Sequence, residues 1–260
     1  MATEKKDTFN EVAELYHRSR NHYPERLFDE LVELTRLQPQ SRALEIGCGT
    51  GIATLPMAKR GMAITAVERG ADMAAVARSH LAGYPNVNVE VDSFESWLPP
   101  ADKFDLVYSA TAFHWLLPEV RYVKCADILR PGGYLAIIRY DHVAGGDTSF
   151  FNQVQSCYEA YMPGTPKNLR LQNHEDISPD TAELEASGLF ELPVVSRYVT
   201  EETYTTEQYI DLLSTYSNHI MLDTANRERL FDCIRSLINR QFNGSITKCY
   251  LHEVILARKR

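Results

Sequence analysis

No apolar run in this 260-residue chain approaches the roughly 20 residues needed to cross a bilayer, so a membrane partner is not expected. No block of lysines or arginines occurs, and the formal net charge is −8. Without clustered cations to meet phosphates, nucleic acid is not the expected partner either. The five cysteines, at 48, 125, 157, 233 and 249, show no C-x-x-C spacing. An odd, dispersed set fits reduced thiols in the cytosol, not a disulfide framework or a zinc site. The histidines lack metal-ligand spacing, so no metal is expected; His17 and His22 adjoin the lid helices, and apart from the site candidates His114 and His219 the others are expected on the surface. Residues 1–7 are polar and carry both signs, which is not the pattern of a signal peptide and agrees with a cytoplasmic protein. No G-x-S-x-G elbow is present for a Ser-His-Asp hydrolase, and no Gly-Lys-Ser/Thr for a phosphate loop. Internal repeats and low-complexity segments are absent as well.

What is plentiful is apolar side chain, 44% of the chain, enough for a large core. The length suits one large domain or one domain with a cap. The chain is organised around Ala43-Leu44-Glu45-Ile46-Gly47-Cys48-Gly49-Thr50-Gly51. A short apolar run ends in three glycines at alternate positions, and residues 52–59 can form a helix. That order reads as buried strand, tight turn and helix. Glycines there let the backbone turn sharply and let a ligand lie directly on it. The dinucleotide fingerprint G-x-G-x-x-G is not matched, because the second and third glycines are only two apart.

Further along, strands are expected at 42–46, 63–68, 87–91, 104–110 and 134–140, with helices at 71–81 and 118–129 between them. The stretch Arg130-Pro131-Gly132-Gly133 reads as a helix stop. Alternating strands and helices give a parallel, doubly wound sheet with right-handed crossovers. Ligands in such sheets bind at the carboxyl ends of the strands. The glycines, Glu68, Asp92 and residues 109–115 all fall at that edge, which is the physical reason to group them as one site. A strand-end carboxylate such as Glu68, roughly 20 residues past a glycine turn, is placed to bind a ribose diol. Asp92 follows a strand and can meet an adenine amine or cap a helix.

Residues 9–35 look helical with a break at Pro24, forming a lid or two surface helices. After 140 the pattern changes. Helices are expected at 150–161, 181–187, 206–216 and 226–242, a loop at 162–178, and strands at 194–199 and 248–257. The segments 189–199 and 248–258 are expected to complete the sheet as an antiparallel pair. The whole is an α/β, Rossmann-like, seven-stranded sheet under a helical cap. It divides into lid helices (1–38), a binding core (39–141) and cap insertions (142–178 and 200–243), all within one domain of residues 1–260.

The motif set Glu45-x-Gly47-x-Gly49-x-Gly51, Val67-Glu68, Phe104-Asp105-Leu106-Val107 and Leu129-Arg130-Pro131-Gly132-Gly133 resembles the S-adenosylmethionine (SAM) methyltransferases of the type 11 kind. Within them the chain is similar to a small-molecule group that includes relatives of trans-aconitate methyltransferase. Arg20-Asn21-His22-Tyr23-Pro24 resembles that group's Arg-Pro-x-Tyr-Pro, with Asn21 in place of the first proline. Ala112-Phe113-His114-Trp115 resembles its Ala-x-His-Trp.

The resemblance implies that Glu45, Gly47 and Gly49 line the methionine portion of SAM and that Glu68 takes the ribose hydroxyls. It implies adenine contact by Asp92, with Ser93 and Phe94 beside it, and Met73 near the adenosine. Ser109 or Ala110 would offer backbone to the methionine amine, and Arg20 would pair with the carboxylate. The implied reaction is in-line methyl transfer to a small-molecule acceptor, with oxygen favoured and a carboxylate among the candidates. His114 is the candidate base, because a neutral imidazole is available near pH 7. Tyr16, Trp115, Tyr140 and His219 are the candidate substrate wall. Two other readings stand beside this one: an enzyme of the same fold acting on protein or RNA, and a SAM-binding module without catalysis. A monomer and a homodimer are equally compatible with the sequence.

Overall fold

Seven strands form one sheet in the order β3-β2-β1-β4-β5-β7-β6. The computed structural model describes residues 13–260. The sequence expectations for residues 1–12, including the start of the first lid helix, lie outside the described residues. The lid comprises α1 (Ala13–Ser19) and α2 (Glu25–Thr35), with Pro24 immediately before α2. Proline's fixed φ and missing N–H suit that boundary. The core then alternates β1 (Arg42–Ile46), α3 (Thr54–Lys59), β2 (Ala63–Glu68), α4 (Ala71–His80), β3 (Val87–Val91), β4 (Phe104–Ala110), α5 (Pro118–Ile128) and β5 (Leu129–Val143).

β1 pairs parallel with both β2 and β4. Its residues are buried from Ala43 to Ile46, as expected of a central strand covered by helices on both faces. Side chains alternate across the sheet. Ala43, Leu106 and Tyr108 join Leu27, Phe28, Met57 and Ala77 on one side. Leu44 and Val107 join Trp97, Phe113, Cys125 and Ile128 on the other. Strand order reverses direction between β1 and β4, which leaves a crevice at their carboxyl ends.

The antiparallel end consists of β6 (Val194–Thr205) and β7 (Ser245–Arg258). β7 pairs with β5 from Tyr134↔Arg258 to Val143↔Cys249, and with β6 from Val194↔Leu256 to Thr205↔Ser245. All three strands run further than their sequence pattern suggests. Residues 141–143 continue β5, and the polar run 200–205 continues β6. A long antiparallel ladder carries these positions although their side chains show no strand-like apolar alternation. The helix before it ends at Ile128, as the stretch Arg130–Gly133 suggested, and that stretch itself forms an insert within β5. Pairing with β4 jumps from Phe104↔Leu129 to Leu106↔Tyr134, and Arg130 Nε donates to Asp105 Oδ1 at 2.5 Å beside this bulge.

The cap comprises α6 (Thr148–Gln153), α7 (Gln155–Tyr161), α9 (Thr206–Leu213), α10 (Ser217–Ile220) and α11 (Thr224–Gln241), whereas α8 (Ala182–Ala186) adds Leu184 to the core cluster of Leu44 and Phe113. It has a core of its own, with Phe150, Tyr209, Leu213, Leu230, Ile234 and Ile238 buried together. Asp147 fixes its start: its N–H donates to the Thr247 carbonyl at 2.9 Å, and its Oδ2 accepts from the Thr247 N–H at 2.7 Å.

One expectation is overturned here. Cys157 on α7 and Cys233 on α11 form a disulfide, while Cys48, Cys125 and Cys249 remain free and buried. The partners are 76 residues apart, and only the packing of α7 on α11 brings them together. Spacing alone carries no trace of that. We expect Cys157→Ala/Cys233→Ala to destabilise the protein by roughly 2–3 kcal/mol through the freed unfolded chain. Calorimetric melting of the oxidised wild type beside the double variant checks this. An unchanged midpoint would contradict it.

Candidate functional site

The turn after β1 holds Gly47 at φ +68° and Gly49 at φ +56°, a backbone region open to glycine and strained for other residues. A Cβ on Gly47 would stand 2.6 Å from Ala112 Cβ, so the turn packs directly on the segment after β4. We expect Gly47→Ala to cost more than 2 kcal/mol in thermal unfolding, and a second change, Ala112→Gly, to return part of it.

Glu68 ends β2 beside this turn. Its Oε2 accepts the Gly49 N–H at 2.8 Å and its Oε1 the Gly70 N–H at 2.7 Å. Burial raises its pKa, while the Gly70 and Gly49 amides pull it down. Asp92, just past β3, accepts from its own neighbours, the Ser93 N–H at 2.7 Å and the Ser96 hydroxyl at 2.6 Å.

On the opposite wall, Arg20 leaves the lid and reaches inward. Its Nη1 donates to Tyr140 Oη at 2.8 Å and its Nη2 to the Thr215 carbonyl at 2.8 Å. The guanidinium lies between the Tyr16 and Tyr216 rings, 4.6 and 4.4 Å from their centroids. Its buried Nε has no hydrogen-bond acceptor among the described residues. Three residues on, Tyr23 shares a 2.6 Å hydrogen bond with the Thr111 hydroxyl. Thr111 has φ +55°, a strained value that fixes the turn into Phe113–Trp115. His114 is exposed there, its ring 4.7 Å from that of Trp115.

These groups surround a cavity of about 750 Å³ between the crevice and the cap. Of the residues singled out from sequence, Tyr16, Arg20, Gly47, Gly49, Glu68, Met73, Asp92, Phe94, Ala110, His114, Trp115, Tyr140 and His219 line it. Three others do not. Glu45 is only 1% exposed, and its Oε2 accepts from Tyr108 Oη at 2.8 Å beneath the turn. Burial pushes its carboxyl up to about 7, against the pull of neighbouring hydroxyls. Ser109 is fully buried, and its hydroxyl donates to the Ile46 carbonyl at 2.8 Å. Ser93 turns its hydroxyl to Ser96, 2.8 Å away, outside the cavity.

The cap and the antiparallel strands add residues that the sequence reading missed. Lys248 on β7 is 4% exposed and lines the cavity, with its Nζ 4.8 Å from the Phe151 ring centroid. Burial lowers its pKa to about 7. His142, at the end of β5, lies 3.3 Å from Tyr216 Oη, and burial, then the charges of Lys248 and Arg20, hold it well below the usual imidazole range. His219 lies between Tyr158 Oη at 3.2 Å and Asn218 Oδ1 at 2.9 Å, and burial, then the charges of Arg20 and Lys248, lower it to about 4. The expectation of surface histidines also fails at His252, which is fully buried beside Thr200. A signal existed in the alternation Lys248-x-Tyr250-x-His252, which places polar side chains on one face of β7. Among the described residues, no helix is long and apolar enough to cross a membrane.

Residues 43–133 match the family described as a methyltransferase domain. An uncharacterized methyltransferase of Mycobacterium tuberculosis is 30% identical over 131 residues, 50% of this chain and 51% of that protein. The chain thus spans about half the length of the first curated relatives it matches. A trans-aconitate 2-methyltransferase of Rhizobium leguminosarum is 25% identical over 201 residues, 75% of this chain and 69% of that one. Among solved structures, phosphoethanolamine N-methyltransferase 2 of Haemonchus contortus, in complex with phosphomonomethylethanolamine and S-adenosylhomocysteine, aligns with a TM-score of 0.53 at 16% identity. That alignment covers 98% of this chain and 60% of the other, a likeness of fold. Residues 43–133 are thus similar to a methyltransferase domain, and the chain shares the Rossmann-like fold of the methyltransferase structure it aligns with.

Proposed function

We propose that this chain transfers a methyl group from SAM to a small-molecule acceptor, with oxygen as the favoured nucleophile. The observation that carries the reading is the convergence of Gly47, Gly49, Glu68, Asp92 and Arg20 on one cavity at the point where strand order reverses. The residues fit the cofactor. The glycine backbone leaves room for a ligand where a side chain would intrude. Glu68 offers carboxylate oxygens to a ribose diol, and Asp92 with Phe94 offers an acceptor and a ring edge to adenine. Met73 lies against Gly49, where adenosine would pass. Ala110 brings backbone to the methionine amine. Arg20, with its unpartnered Nε, supplies the cation for the methionine carboxylate. When bound, SAM supplies a sulfonium-activated methyl group.

The chain's own residues then have two tasks. Tyr16, Trp115, Tyr140 and the cap hold the acceptor and keep water out, and positioning of this kind can supply much of the rate. His114, which lines the cavity, takes a proton in this reading where the acceptor is an alcohol or phenol. A carboxylate acceptor is already ionised and asks for no base. We therefore expect His114→Ala to lower kcat by about 100-fold on hydroxyl acceptors and by less than about threefold on carboxylates. Transfer of labelled methyl from SAM across a panel of both classes tests the function and this division together. No transfer to any small molecule would count against the function. An equal loss in both classes would reassign His114 to binding. A cytoplasmic setting rests on the sequence pattern alone, and the Cys157–Cys233 bridge weighs against it.

A further inference from the structure

We propose that Lys248 is the specificity-determining residue of the acceptor pocket and that it selects acceptors carrying a carboxylate. The inference deepens the methyltransferase reading and rests on it. The cavity is electrostatically divided. Its acidic lining residues, Glu68 and Asp92, both stand at strand ends on the glycine side. The wall built from the cap, β5 and β7 contains Lys248, His142 and His219 and no acid.

Lys248 is nearly fully buried yet makes no hydrogen bond or ion pair with any described residue. Its paired residue on β6, Glu202, is exposed and does not reach it. The ammonium lies over the rings of Phe151 and Tyr250, 4.8 and 5.7 Å from their centroids. Aromatic faces soften the burial of a cation but do not replace a counter-charge. A buried ammonium without a carboxylate, aimed into a cavity that must admit a second substrate, matches an anionic group on that substrate.

The chemistry of the wall narrows the anion. Lys248 is a point cation, and the nearby Arg20 fork is already held by Tyr140 and the Thr215 carbonyl and assigned to the methionine carboxylate. The two histidines beside it are held neutral by burial. A single counter-charge suits one carboxylate, whereas a phosphate dianion calls for more donors. Tyr158, Tyr216 and Phe151 frame the remainder, so the acceptor's body is apolar or planar.

The test uses the full chain loaded with S-adenosylhomocysteine. Small mono-, di- and tricarboxylic acids, their primary amides and two phosphate monoesters are titrated calorimetrically into wild type, Lys248→Met and Lys248→Arg. We expect at least one acid to bind at least tenfold more tightly than its amide in wild type. That preference should vanish in Lys248→Met and persist in part in Lys248→Arg, with S-adenosylhomocysteine affinity changed less than twofold. If no acid outbinds its amide, if Lys248→Met keeps the preference, or if the phosphate monoesters bind best, the proposal is wrong. Loss of S-adenosylhomocysteine binding by wild type is a separate result and strikes the methyltransferase reading itself. A role confined to packing against Phe151 would shift stability and leave the acid-to-amide ratio unmoved.

Discussion

Glu68→Ala is expected to weaken SAM binding by about 1,000-fold, or roughly 4 kcal/mol, and to bring methyl transfer to background. Two charge-assisted hydrogen bonds to ribose hydroxyls account for that size, since each is worth roughly 1.5–3 kcal/mol. The same carboxylate also accepts the Gly49 and Gly70 amides, so the change strips the glycine turn of its anchor. Glu68→Gln separates the two roles. Its amide oxygen can still accept one backbone N–H, and its loss of affinity should fall between wild type and alanine. Titration calorimetry on all three, with melting curves alongside, measures both effects. Wild-type affinity in a folded Glu68→Ala variant would remove Glu68 from the cofactor site.

Lys248→Met should raise stability by about 4 kcal/mol at pH 6, an increase of about 10 °C in melting temperature. Burial lowers the ammonium's pKa to about 7 in the folded chain, against about 10.4 in the unfolded one. Below pH 7 both states are protonated and the folded state carries the whole cost of the buried charge. Between pH 7 and about 10.4 the unfolded state holds more protons, so wild-type stability climbs with pH. The advantage of the methionine variant therefore shrinks as pH rises and is nearly gone by about pH 10. Calorimetric melting at pH 6 and pH 9.5 reads both arms. A methionine variant less stable than wild type at pH 6 would show that the ammonium is satisfied within the protein. The gain would mark Lys248 as a residue kept at the expense of stability, as binding sites often are.

The parallel core was legible in sequence because its signals are local. Buried runs ending in glycine or acid, with helices between, specify strand, turn and helix within a few residues of each boundary. Glu68, Asp92 and Gly47 share a wall because the strand-end rule places them there whatever the cap does. Glu45 misled because its place in the motif says nothing of its direction. The strand's alternation turns it beneath the turn toward Tyr108, not toward the cavity. Ser109 likewise turns its hydroxyl to the Ile46 carbonyl, and Ser93, in the loop past β3, turns its own to Ser96.

The cap was far less legible. Lys248 and His142 come to the site through pairing between strands about 100 residues apart, and the Cys157–Cys233 bridge through helix packing across 76. Long-range contacts of this kind leave no periodicity. The polar stretch after Val199 became strand only because β7 gives it a partner for every residue.

The most direct test of the account is calorimetric titration of the wild-type chain with SAM and, separately, with NADH. The geometry of the glycine turn, Glu68 and Arg20 predicts micromolar SAM binding, about −8 kcal/mol, and no heat with NADH. NADH binding without SAM binding would contradict it and leave a doubly wound sheet serving another ligand.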